Sequence, residues 1–146
     1  MPMRTIGTIP QPISEIIKTE SEKTMEENKI LYIAANALNE KKAMNIEAIK
    51  VKDLTVITDS FLIATATSST HVHSLADEVE EKLAKEGILP RQIEGRATGW
   101  ILLDYNQVII HIFTPQMREF YNLEHLWSDG EKIDIDKILE NVREEN

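Results

Sequence analysis

The sequence contains no cysteine among its 146 residues, which excludes disulfides, cysteine-ligated zinc, iron–sulfur clusters and thiol catalysis. Glycine and proline are scarce, with five of each. The hydrophobic share of 42% and the charged share of 28% are typical of a folded globular chain, so the composition does not predict disorder. A chain of this length has room for one ordinary domain with a single core.

Long apolar runs are also missing. The longest, residues 108–113, is interrupted by His111 and is far too short to cross a bilayer. Residues 1–24 mix basic and acidic side chains and lack the apolar core of a signal peptide, so we expect no secretion signal. The absence of cysteine agrees with the cytoplasmic location that these two observations predict.

Positive charge is in short supply. Sixteen Lys and Arg residues stand against 25 Asp and Glu residues, which gives a formal net charge of −9. Such a chain repels phosphate backbones unless its cations gather on one face, so the sequence predicts no binding to a specific nucleic-acid sequence. A basic protein partner fits this charge better.

The spacing of apolar residues predicts a single α/β (α+β) domain with a mixed β-sheet flanked by helices. Ser68 offers an N-cap for the clearest helix, and Asn106 suits the turn of a hairpin. The predicted elements are a helix over 26–42, strands over 46–51 and 61–64, a helix over 68–85, strands over 100–104 and 108–113, a helix from Pro115 and a last helix over 136–143.

Three regions follow from this pattern. Residues 1–24 are predicted to be a flexible N-terminal extension, because prolines and small polar residues at 1–12 can bury little surface. Residues 25–130 form the predicted domain, and residues 131–146 form a predicted C-terminal helical tail. Both hairpin strands are apolar on both faces, which predicts that the sheet is covered on both sides.

The polar residues show no recognisable catalytic or metal-binding pattern. The four histidines, at positions 71, 73, 111 and 125, include no His-x-x-x-His pair, so we predict no metal. His71 and His73 are interpreted as solvated residues near a helix N-terminus, and His111 as a hydrogen-bonded residue within a strand. Gly95 and Gly99 lack the accompanying residues of a nucleotide-binding loop. Asp59 is interpreted as a turn or cap acceptor. We therefore expect no cofactor and no catalytic residue.

The large aromatic residues are few and unevenly placed. Aromatic content is 5%, and most of these side chains fall in the final third, among them Trp100, Phe113, Phe120, Tyr121 and Trp127. Core packing and a partner-binding surface both explain such a cluster, because Trp and Tyr near an arginine are also typical of interface hot spots. The sequence leaves both alternatives open.

Several segments together resemble the ribosomal silencing factor family, also called the Iojap-related family. They are residues 58–65 (Thr-Asp-Ser-Phe-Leu-Ile-Ala-Thr), Glu94-Gly95, 99–104 (Gly-Trp-Ile-Leu-Leu-Asp), 108–113 (Val-Ile-Ile-His-Ile-Phe), Arg118 and 121–127 (Tyr-Asn-Leu-Glu-His-Leu-Trp). The order and spacing of these segments match over about residues 26–127.

The resemblance implies a nucleotidyltransferase-like topology and a protein that binds the large ribosomal subunit. Binding would occur through a basic ribosomal protein at the intersubunit face, block joining of the small subunit by steric obstruction and so repress translation. The sequence lacks the Gly-Ser sequence and the paired aspartates of nucleotidyltransferases, so we expect no enzyme. A nucleotidyltransferase-fold enzyme or nucleotide-binding protein is the alternative.

The same resemblance assigns partner-binding residues. Trp100 is the first choice for an interface anchor, with Ile101 beside it and Glu94 available for a basic neighbour. A second group, carried over from the Tyr-x-Leu-Glu-x-Leu-Trp ending, comprises Tyr121, Glu124 and Trp127. Resemblance to the family also makes a homodimer of the free protein plausible.

Overall fold

A six-stranded mixed sheet organises the part of the chain that the computed structural model describes, residues 19–95 and 99–139. Residues 135–139 are also helical. The elements in chain order are α1 (Glu20–Glu40), β1 (Met44–Lys50), β2 (Ser60–Thr65), α2 (Ser69–Lys85), β3 (Gln92–Glu94), β4 (Trp100–Asp104), β5 (Val108–Phe113), α3 (Pro115–Tyr121), α4 (Leu123–Leu126) and β6 (Glu131–Ile133). The structure thus confirms the predicted mixed α/β domain.

The strands lie in the order β3-β4-β5-β2-β1-β6. Strands β2 and β5 are parallel, with Ser60 opposite Val108, and the other four neighbouring pairs are antiparallel. The two parallel strands form the centre of the sheet, and every residue in both is buried. Asn106 adopts a positive φ of 76° in the β4–β5 turn, as its residue type predicts.

One face of the sheet is covered by α1 and α2. Ser68 accepts a hydrogen bond from the backbone N–H of His71, which confirms the predicted N-cap of α2. Apolar residues of α2 spaced three and four apart are buried, and the same is true of α1. This face therefore holds the larger core, which includes Leu38, Leu62, Leu75, Ile101 and Ile110.

The opposite face has a smaller core, formed by side chains of β1, β2 and β5. Its fully or nearly fully buried members include Ile49, Phe61, Ile63, Ile109 and Phe113. Partly buried side chains that pack against it are Trp100, Leu102, Met117, Leu123 and Trp127, of which the last three follow the hairpin on or next to α3 and α4. The sheet is thus covered on both sides, as predicted.

The first helix begins earlier than predicted. It starts at Glu20 instead of residue 26, so residues 20–24 are helical although they were assigned to the flexible extension. The cause is a capping box: the Thr19 hydroxyl accepts from the Glu22 backbone N–H, and the Glu22 carboxylate accepts from the Thr19 N–H. The rest of that predicted extension, residues 1–18, lies outside the described residues.

Two short strands at the sheet edges were not predicted. Strand β3 pairs with β4, and β6 pairs with β1. The assignment of residues 131–133 to a helical tail was wrong, because these residues form β6. Each edge strand has three residues, too few for a period of two to be recognisable. A helical segment follows at residues 135–139, and all of it except residue 135 lies within the predicted last helix, 136–143. Residues 140–146 lie outside the described residues.

Candidate functional site

A cavity of about 240 Å³ opens at the end of the sheet where β4 begins. We call it the Trp100 cavity. Its lining residues come from β3, β4, α3 and the turn after β3: Glu94, Gly95, Trp100, Leu102, Met117 and Tyr121. The Trp100 and Tyr121 rings are 4.6 Å apart between centroids, and both side chains keep part of their surface in solvent. The cavity therefore has aromatic and aliphatic walls and one carboxylate.

Local backbone geometry holds the cavity together. Gly95 has a φ of +85°, and a Cβ atom there would lie 2.1 Å from the backbone oxygen of Trp100. Glycine is therefore required for the close approach of the two backbones. On the other wall, the Thr114 hydroxyl caps α3 and Pro115 occupies its first turn, which fixes the helix that carries Met117 and Tyr121.

A hydrogen bond to His111 orients the Trp100 side chain. Its indole N–H donates to Nδ1 of His111 on the adjacent strand, at 3.1 Å. Burial lowers the pKa of His111 to about 3, so the ring is neutral at physiological pH and carries its proton on Nε2. In the described part of the chain, that buried Nε2 has no hydrogen-bond partner. Leaving it unsatisfied costs about 1–3 kcal/mol.

Ile101 does not belong to this surface. It was predicted as a partner-binding residue beside Trp100, but its side chain is 0% exposed and lies in the core beneath α1 and α2. Successive side chains of a strand point to opposite faces, so Trp100 and Ile101 cannot both meet one partner through their side chains. Ile101 supports the sheet from the helical face.

Glu124 lies in an ion pair within the protein. The Arg118 guanidinium donates to its carboxylate from Nε at 2.8 Å and also from the second terminal nitrogen. Arg118 further donates to the Thr65 hydroxyl at 2.7 Å and to the backbone carbonyl of Asn45. Its side chain is 11% exposed, so this network fastens α3 and α4 to β1 and β2.

Trp127 lies apart from the first group of predicted residues. Its ring is 5.3 Å from Phe61 on β2, whereas Trp100 lies on β4, two strands away in the sheet. It is partly buried and covers the smaller core. The structure thus brings Glu94, Trp100 and Tyr121 around one cavity and leaves Trp127 outside its lining.

Sequence reasoning did not assign Leu102, Met117 or His111 to the site. The spacing of two along β4 places Leu102 on the same face as Trp100, and the spacing of four along α3 places Met117 beside Tyr121, so both could have been found. His111 required the strand register. Leu102 is opposite His111 and Trp100 is opposite Phe113, so Trp100 reaches His111 diagonally.

The remaining polar predictions concern histidines and Asp59. His71 receives the Thr67 backbone N–H at Nδ1 and donates from Nε2 to the Lys41 carbonyl at 2.7 Å, a structural role. Burial raises the pKa of Asp59, and the negative charge of Glu27 raises it further.

Among residues 19–95 and 99–139 there is no group of three metal-ligating His, Asp or Glu side chains. No helix within these ranges is long and apolar enough for a membrane span.

Comparisons with known proteins extend over this whole site. A family model described as "Ribosomal silencing factor during starvation" matches residues 23–146. Ribosomal silencing factor RsfS of Bacillus subtilis is 34% identical over 113 residues, which cover 77% of this chain and 96% of that protein. Its counterpart in Halalkalibacterium halodurans is 32% identical over 116 residues and is covered to 99%, with 79% of this chain included.

A crystal structure of a protein from Chromobacterium violaceum superposes with a TM-score of 0.67 at 30% identity, covering 69% of this chain and 85% of that one. Similarity also extends to the chloroplastic protein Iojap of Zea mays, 32% identical over 101 residues that cover 69% of this chain and 44% of that protein. Because the family match over residues 23–146 includes all six strands and every residue of the Trp100 cavity, this chain belongs to the ribosomal silencing factor family.

Proposed function

We propose that the protein binds the large ribosomal subunit in the cytoplasm, through a basic ribosomal protein at the face that meets the small subunit. Bound there, it blocks subunit joining by steric obstruction and represses translation without catalysing a reaction. Membership of the ribosomal silencing factor family carries the association with ribosomes. The Trp100 cavity is the observation that supports a specific docking surface.

The chemistry of the cavity fits a basic protein partner. Trp100 and Tyr121 provide aromatic surface that remains partly exposed, and the exposed Glu94 carboxylate adds negative charge beside them. Buried aromatic anchors with a charged rim are typical of protein interfaces. The net charge of −9 would also steer the protein toward a positive patch and raise the association rate.

Phe120 extends this surface along α3. Its side chain is 76% exposed, and its ring meets that of Tyr121 edge to face at a centroid distance of 5.1 Å. An exposed phenylalanine beside two partly exposed aromatic rings makes a contiguous apolar patch. In the free protein the same patch can pair with a second copy, so a homodimer that dissociates on ribosome binding is part of this proposal.

The test is the affinity of Trp100→Ala for purified large subunits. Truncation of an interface anchor costs about 2 kcal/mol or more, so we expect at least about thirtyfold weaker binding. Val56→Ala is the matched control, because Val56 is fully exposed in the loop at the opposite end of the sheet. Circular dichroism must show that both variants fold. Wild-type affinity in a folded Trp100→Ala variant would contradict the proposed surface.

A further inference from the structure

His111 and Phe113 on the neighbouring strand β5 fix the orientation of the Trp100 ring. Besides the hydrogen bond to His111, the Trp100 and His111 rings lie 5.9 Å apart with an angle of 20° between their planes. Phe113 stacks beside both, 5.5 Å from Trp100 and nearly parallel to His111 at 4°. The hydrogen bond adds what stacking alone does not supply: it selects which edge of the indole faces inward.

Histidine is not the residue that packing alone would favour at this position. The side chain of His111 is 5% exposed, and its ring lies between the aromatic rings of Phe61, Trp100 and Phe113. An apolar residue could fill such a site without burying a polar atom. In the described ranges Nε2 has no hydrogen-bond partner. The polar interaction that an apolar residue could not replace is therefore the hydrogen bond that Nδ1 accepts from the Trp100 indole.

We propose that His111 is a positioning residue for partner binding, which holds the Trp100 ring in the orientation that the ribosomal protein recognises. This inference rests on the proposed function, because the positioned ring is one wall of the Trp100 cavity. A side chain held in its bound conformation loses less rotamer freedom on association, which strengthens binding. His111 itself is buried and acts through Trp100.

The expected effect follows from how often the ring would be correctly oriented without the bond. If His111→Leu leaves the binding orientation populated in about one molecule in ten, the affinity falls about tenfold. Tenfold corresponds to about 1.4 kcal/mol. Leucine also removes the buried, unsatisfied N–H, and the released indole N–H of the partly exposed Trp100 can bond to water, so the stability against urea should stay equal or rise. A loss of affinity without a loss of stability distinguishes positioning from a structural role.

His111→Asn is the conservative counterpart. The Asn side-chain oxygen lies close to the place of Nδ1 and can still accept from the Trp100 indole, while its buried amide introduces further unsatisfied donors. We therefore expect near wild-type affinity together with lower stability. His111→Leu should thus lose affinity but not stability, whereas His111→Asn should lose stability but not affinity. Ile109→Val, on the same face of β5, serves as the control for a small packing change.

The experiment compares the full-length wild type with these variants by urea unfolding, affinity for purified large subunits and the ¹⁵N–¹H indole resonances. The chain has two tryptophans, and the resonance missing from Trp100→Ala identifies that of Trp100. In His111→Leu this resonance should move toward that of a solvent-exposed indole. An unchanged resonance, unchanged affinity or a parallel loss of affinity and stability would overturn the role of His111. Failure of the wild type to bind would instead overturn the proposed function.

Discussion

Replacing Arg118 by methionine tests what holds α3 and α4 on the sheet. The guanidinium bonds to Glu124, to the Thr65 hydroxyl and to the Asn45 carbonyl, and it lies 4.0 Å from a Glu47 oxygen. Removing one partner of a fully buried ion pair costs about 3–5 kcal/mol. Because the two carboxylates are 24% and 36% exposed, we expect the lower end of that range, about 3 kcal/mol.

Urea unfolding at neutral pH measures this cost. With a slope of about 1.5 kcal/mol per molar urea, a loss of 3 kcal/mol lowers the midpoint by about 2 M. Lys82→Met is the control, since Lys82 pairs with Glu40 and Glu78 at the surface and should contribute less than about 1 kcal/mol. Adding Glu124→Gln to Arg118→Met should restore part of the loss. An Arg118→Met midpoint no lower than that of Lys82→Met would show that the Arg118 network does not hold α3 and α4 on the sheet.

Two further predictions concern the site. Gly95→Ala should lower the thermal midpoint clearly more than Gly87→Ala. Both residues have positive φ, but a Cβ at Gly87 would meet no atom within 4 Å. Equal midpoints would mean that the Trp100 backbone can shift without cost. Below pH 6.5 an unfolded chain protonates His111 while the folded pKa stays near 3, so acid should destabilise the wild type relative to His111→Leu, by up to about 1.4 kcal/mol per pH unit. Urea midpoints of both proteins at pH 7 and pH 5 measure this difference, which a constant offset would contradict.

Elements with their own local pattern were predictable from sequence. The α2 stripe with its Ser68 cap, and the hairpin with Asn106 at its turn, are encoded within short stretches of chain. The start of α1 was also encoded, since Thr19 and Glu22 are the ends of a capping box. The short strands β3 and β6 were not, because their pairing depends on neighbours distant in sequence.

The site was predictable in part for the same physical reason. Residue types and the family resemblance singled out Glu94, Trp100 and Tyr121, and the structure places them around one cavity. The error at Ile101 came from treating neighbours in sequence as neighbours on a surface, which the alternation of a strand forbids. The role of His111 depends on a diagonal contact between two strands, so only the three-dimensional register reveals it.

Sedimentation of purified ribosomal subunits shows directly whether the protein blocks subunit joining. Large and small subunits are mixed with the protein at a magnesium concentration that normally allows them to join, and the gradient is analysed for joined ribosomes and for the position of the protein. We predict that the protein migrates with the large subunit and that joined ribosomes are lost. Unhindered joining, with the protein remaining at the top of the gradient, would contradict this prediction.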